Sequence, residues 1–165
     1  MNSCEAGPHG PLNCAELSDT VQLRGMRHLH LRLLILLLLM PFAAPSAEVA
    51  LLPPDRAWEE AQSGQVLIID VRNAAEWAWT GVPRGAARAS WWQIGGESGF
   101  LEDVLAIVGH ERDRAIALIC ASGVRSSNAA AFLRANGFSN VRDIGEGMLG
   151  SAAGPGWLKR QLPLE

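Results

Sequence analysis

Cys120 is followed by Ala121, Ser122, Gly123, Val124, Arg125 and Ser126, which places a thiol, two hydroxyls, a glycine and a guanidinium close together in the chain. The thiolate, not the thiol, is the strong nucleophile, so the chemistry depends on whether the surroundings stabilise anionic sulfur. Backbone N–H groups curling toward one centre, with a helix N-terminus behind them, make an anion site. Gly123 supplies the positive φ that such a curl demands. Ser122 and Ser126 offer hydroxyls, and Arg125 offers a fixed positive charge for an anionic donor. The alternative is a buried, inert cysteine beside an ordinary turn. The convergence of stabilising groups favours the reactive reading. Asp70, Arg72 and Glu76 form a second ionisable set. They could serve as acid and base; the structural reading makes Asp70 an acceptor for loop N–H groups and pairs Arg72 with Glu76.

Such a loop needs a strand before it and a helix after it. Ala115 to Cys120 is a continuous apolar run, and Val66 to Ile69 is another that ends in Asp70. Runs of that length without polar interruption suit strands buried on both faces. Ser126 to Asn136 has the apolar spacing of a helix, with Gly137 at its C′ position. Residues 53–62 read as a helix with Asp55 as a possible cap, and 100–108 as another ending at Gly109. Asn73 and Glu76 are spaced as a capping box. Val141 to Ile144 reads as a short strand broken by Gly145 and Gly147. Apolar strands alternating with helices predict an α/β domain, a mostly parallel central sheet with helices on both faces. In that architecture ligands bind beyond the carboxyl ends of the strands, where Cys120 falls.

The first third of the chain differs. Arg24, Arg27 and Arg32 precede the apolar run Leu33 to Met40, closed by Pro41 and followed by small residues to Ala47. This is the pattern of a secretory signal peptide. The run is shorter than the roughly 20 apolar residues a spanning helix needs. The expectation is a leader over residues 1–47, complete from Met26 onward and starting there, then a single domain over 48–165. After cleavage no stable membrane span remains, and the protein is exported to the periplasm. Cys4 and Cys14 leave with the leader, so the mature chain keeps Cys120 alone. A lone cysteine in an oxidising compartment points to use of its reactivity. The net charge of -3 argues against nucleic acid, which needs a basic face.

Cys120-Ala-Ser-Gly-Val-Arg-Ser126 resembles the active-site loop of the rhodaneses, the thiosulfate sulfurtransferases. The resemblance extends over about residues 55 to 165. Asp70-Val71-Arg72 with Glu76 resembles the family's first signature. Gly137-Phe138, Val141 and Gly145-Glu146-Gly147 resemble its downstream strand and turn, and Trp157 with Leu162-Pro163 its ending. Two departures stand out: Gly81-Val82-Pro83-Arg84-Gly85-Ala86 lacks the family's usual His, and Gln161 stands where Gly is common.

The resemblance implies a rhodanese-like domain that moves sulfane sulfur through a Cys120 persulfide. Residues 121 to 126 would bind the donor, and Asp70, Arg72 and Glu76 would support the site. It implies a small anionic sulfur donor such as thiosulfate, a thiol or cyanide acceptor, and no metal or other cofactor. Cysteine phosphatases and arsenate reductases place five residues between Cys and Arg. Here there are four, Ala121 to Val124, giving a smaller ring of donors suited to one sulfur atom. A Cys/His hydrolase would need His110, which a strand over 115–120 puts about 17 Å or more away at roughly 3.3 Å per residue. Zinc lacks ligands. The remaining alternative is a non-turnover module that docks a partner or senses oxidants through Cys120.

Overall fold

The two uninterrupted apolar runs become the paired centre of a sheet in the computed structural model, which describes residues 49–165. They form β2 (Leu67–Asp70) and β4 (Ile116–Ile119), each flanked on both sides by other strands. A strand so enclosed has no solvent face, so a polar residue in its middle would lose water without gaining a partner. The shorter strands are β1 (Ala50–Leu51), β3 (Ala87–Arg88) and β5 (Val141–Asp143). The order is β1-β5-β4-β2-β3, and every pair is parallel. The chain is thus α/β as expected, with the sheet parallel throughout.

Helices cover both faces: α1 (Pro54–Gln62), α2 (Ala74–Thr80), α3 (Gly96–Ile107), α4 (Val124–Ala135) and α5 (Gly156–Lys159). Because strand side chains alternate, β2 and β4 feed two cores. Ile69, Val71, Leu118 and Cys120 pack with Phe100 and Val104 of α3 and with Ala129 and Leu133 of α4. Ile68, Ala117 and Ile119 pack with Ala57 of α1 and Trp157 of α5 on the opposite face. Each large side chain fully buried in this way stabilises the fold by about 1.5–3 kcal/mol relative to exposure. Cys120 therefore belongs to the α3–α4 face.

Several boundaries differ from the sequence expectation for local reasons. Helix α4 starts at Val124 rather than Ser126, because Gly123 (φ 91) takes the N-cap position. Helix α3 starts at Gly96, since glycine and polar residues ahead of Phe100 carry no apolar spacing. Asp55 lies in the first turn of α1 instead of capping it, and its carboxylate receives a hydrogen bond from Arg160. The capping box of α2 is present: Asn73 Oδ1 accepts from the Glu76 N–H at 3.0 Å, and Glu76 Oε2 accepts from the Asn73 N–H at 3.1 Å. Gln161, at the family's glycine position, adopts φ 55. The expected leader over 1–47 and its start at Met26 lie outside the described residues. Among the described residues, no helix is long and apolar enough to cross a membrane.

Candidate functional site

Three adjacent strands end at one edge, β2 at Asp70, β4 at Ile119 and β5 at Asp143, with Asp70 in register with Ile119 and Leu118 with Asp143. That edge is where the sheet's carboxyl ends open into loops. Cys120 sits there, one residue beyond β4, with its side chain buried. The Gly123 N–H donates to Cys120 Sγ at 3.2 Å. The Ser126 hydroxyl lies 3.4 Å from the same sulfur and 3.1 Å from the Gly123 carbonyl oxygen. The loop thus turns back on its first residue and presents two donors to the sulfur. Ala121 is half-buried, whereas Ser122 and Val124 face solvent and form the mouth.

Glycine is required here for two reasons. At Gly123 a Cβ would stand 2.3 Å from the Gly145 carbonyl oxygen, and the backbone has φ +91. At Gly147 a Cβ would stand 2.5 Å from the Ala121 carbonyl oxygen. The turn after β5 therefore lies directly against the cysteine loop. It is bonded there too: the Met148 and Leu149 N–H groups donate to the Cys120 and Ala121 carbonyls at 2.8 and 2.9 Å.

Arg125 does not stand free. Its guanidinium donates to both oxygens of Glu76 at 2.7 and 2.6 Å, and it lies 4.6 Å over the Trp92 ring. The Arg125 hydrogen bond holds the Glu76 carboxyl below its ordinary range, against the opposing effect of partial burial. The same bond raises Arg125, with smaller contributions from the charges of Glu76, Cys120 and Asp70. The cation expected for an anionic donor is therefore shared with a carboxylate. Exposed Trp92 covers it at the rim.

The supporting residues are paired differently from the expectation. Arg72 does not bridge to the Glu76 carboxylate. Its guanidinium is buried against Asp70, with Nε at 2.9 Å from both carboxylate oxygens and a terminal nitrogen at 2.6 Å. The remaining protons reach Thr80 Oγ1 at 2.6 Å and the Gly81 carbonyl at 2.7 Å. Asp70 accepts the Arg72 N–H, not a loop N–H. The reason is geometric. Arg72 lies two residues after Asp70 at the same strand end, so a buried guanidinium finds its carboxylate there. Glu76, fixed at the start of α2 by the capping box, is left to meet Arg125.

Sequence reasoning overlooked Asp143, a buried carboxyl that burial holds above its ordinary range against the opposing effect of the Ser126 hydroxyl. Its signal was an acidic residue at the end of a short strand, directly before the apolar Ile144. His110 lies on the exposed turn between α3 and β4, at the strand end away from Cys120. A cavity lined by Trp58, Leu67, Arg114 and Ala115 also opens at that far end and has no part in the sulfur site.

The comparisons with known proteins agree with this geometry. The family profile described as "Rhodanese-like domain" matches residues 53–152. The thiosulfate sulfurtransferase GlpE of Haemophilus influenzae is 31% identical over 113 residues, which covers 68% of this chain and 90% of that protein. Among solved structures, Rv0390 from M. tuberculosis is 28% identical with a TM-score of 0.54, over 72% of this chain and 98% of that one. The polysulfide-sulfur transferase homodimer of Wolinella succinogenes has a TM-score of 0.55 at 24% identity, over 73% of this chain and 80% of that one, a likeness of fold.

Proposed function

This chain belongs to the rhodanese-like family, and on that footing we propose that it is a sulfurtransferase carrying sulfane sulfur on Cys120 as a persulfide. The observation that carries the reading is the pair of donors, Gly123 N–H at 3.2 Å and Ser126 hydroxyl at 3.4 Å, aimed at a buried cysteine sulfur. Preorganised donors of this kind stabilise charge on sulfur without reorganising as it develops.

The reaction is a two-step exchange. The Cys120 thiolate attacks the outer sulfur of thiosulfate. A new sulfur–sulfur bond forms, the donor's own bond breaks, and sulfite leaves with the electron pair. The terminal sulfur of the persulfide then carries the negative charge among the loop N–H groups. A nucleophile, cyanide or a thiol, takes that sulfur atom and returns Cys120 to thiolate. Thiosulfate as donor rests on the name of the GlpE relatives. The protein works without metal or cofactor, and as an exported, periplasmic enzyme once its leader is removed.

Phosphatase chemistry is less well supported. The intervening residues are one too few, and Arg125 is turned to Glu76 rather than to an oxyanion above the sulfur. One observation favours a second reading, that of a non-turnover binding or sensing module. Cys120 is only 1% exposed, and its neighbouring cation already has a partner. Turnover separates the two. With thiosulfate and cyanide, the wild-type chain forms thiocyanate repeatedly and Cys120→Ser forms none. A single equivalent of thiocyanate per chain would favour the module, and equal rates in both proteins would remove Cys120 from the chemistry.

A further inference from the structure

At the end of the sheet opposite Cys120, three parallel strands start side by side. The register sets Leu67 of β2 beside Ile116 of β4, and Ile69 of β2 beside Ala87 of β3. Arg114 therefore stands just ahead of β4 and Arg84 just ahead of β3, one on each side of the start of β2. Adjacent strands lie about 4.8 Å apart, so β3 and β4 run about 10 Å apart. Two arginine side chains can close that gap from its two sides. A cavity of about 390 Å³ opens there, with Trp58, Gln62, Gln65, Arg84 and Arg114 among its walls. Its size falls within the range of small-molecule sites. At roughly 3.3 Å per residue, the strand between Ala115 and Cys120 puts about 17 Å between this cavity and the sulfur.

Positive charge in the cavity has no counterpart. Among the described residues, neither the Arg84 nor the Arg114 guanidinium has a hydrogen bond or an ion pair. By contrast Arg72, Arg125, Arg142 and Arg160 each meet a carboxylate. No Asp or Glu lines the cavity. Glu165 accepts from the Gly85 N–H at 3.2 Å and pairs with Arg88 at 3.8 Å, and Glu60 of α1 is held by Arg142 at 2.6 Å. The carbonyls that end a helix would repel an anion. At the end of α1 they are covered: the Gly64 and Gln65 N–H groups donate to the Ala61 and Glu60 carbonyls at 3.1 and 2.8 Å. Half-buried Trp58 forms a flat wall, its ring set edge-on against Trp157 at 6.4 Å between centroids.

We propose that this cavity is a second binding site, independent of Cys120, for a small aromatic phosphate monoester. Arg84 and Arg114 take the phosphate from its two sides, and Trp58 takes the aromatic body. A phosphate monoester carries nearly two negative charges at neutral pH, which matches two guanidinia, whereas a carboxylate brings one. The guanidinium fork also fits phosphate oxygens two at a time. An aromatic ring packs on the indole by stacking or edge contact. The Gln62 and Gln65 amides supply further donors at the rim.

The test is calorimetric titration of the full chain with phenyl phosphate, alongside inorganic phosphate and benzoate. Wild type binds phenyl phosphate saturably with one site. A hydrogen bond to a charged group is worth enough that losing it weakens binding about tenfold or more. Arg84→Gln and Arg114→Gln each show that loss, while Cys120→Ser binds as wild type does. Both arginines are exposed, so the variants keep the wild-type thermal midpoint. Inorganic phosphate and benzoate each bind at least tenfold more weakly than phenyl phosphate. No saturable binding of phenyl phosphate, or binding unchanged in either arginine variant, overturns the site. Benzoate binding as tightly overturns the phosphate, and inorganic phosphate binding as tightly overturns the aromatic body. Loss of binding in Cys120→Ser alone would place the anion at the sulfur and equally overturn the proposal.

Discussion

Replacing Gly123 with Ala perturbs the cradle by one methyl group, and the structure sets the size of the effect. The backbone there has φ +91, and the added Cβ would lie 2.3 Å from the Gly145 carbonyl oxygen. Left-handed backbone costs a non-glycine residue about 1–2 kcal/mol. Overpacking a filled site adds about 1–3 kcal/mol, and here the obstacle is backbone that Gly147 and Met148 hold in place. The sum is about 2–5 kcal/mol, which for a domain of this size lowers the thermal midpoint by about 8–20 °C. Relief requires the loop to move away from Gly145, which takes the Gly123 N–H off the sulfur it meets at 3.2 Å. Losing one such donor costs a factor of about 10²–10³ in rate. The assay is thermal unfolding of the full chain, with the rate of sulfur uptake from thiosulfate on the folded fraction. A midpoint within about 4 °C of wild type together with an uptake rate within threefold would refute the reasoning, since neither strain nor displacement would then be present.

Two further outcomes follow from the ion pairs. Asp70→Asn leaves the Arg72 guanidinium buried without its carboxylate, and such a loss costs about 3–5 kcal/mol; urea unfolding monitors it. Glu76 has its carboxyl lowered by Arg125, so its stabilising effect is complete above the unfolded value of about 4.5 and disappears as acidification passes through the lower folded value. The gap in thermal midpoint between wild type and Glu76→Gln accordingly narrows as the pH falls below 4.5, and a constant gap would contradict the pairing.

How much of this could be read from the sequence depended on how local each cause was. The strands β2 and β4 were legible because burial on both faces demands an unbroken apolar run. The α2 capping box and Gly137, at φ 89 just past α4, were legible because each depends on residues within a turn. The two-residue strands Ala50–Leu51 and Ala87–Arg88 are too short to carry any period. They exist because longer neighbours offer them an edge. Of the site, the sequence located Cys120 and the loop to Ser126. It missed the Arg125–Glu76 pair, whose partners lie 49 residues apart and meet only when α2 and α4 are set on the sheet. It missed Asp143 for the same reason. An acid in a strand is unremarkable until the strand is seen ending behind Ser126.

The most direct test of the central claim is the mass of the peptide from Ala115 to Arg125 after the full chain is exposed to thiosulfate and digested without reductant. The account predicts a gain of one sulfur atom on Cys120, removed by cyanide as thiocyanate and absent in Cys120→Ser. An unchanged peptide mass while thiocyanate accumulates would place the sulfur transfer elsewhere and contradict the account.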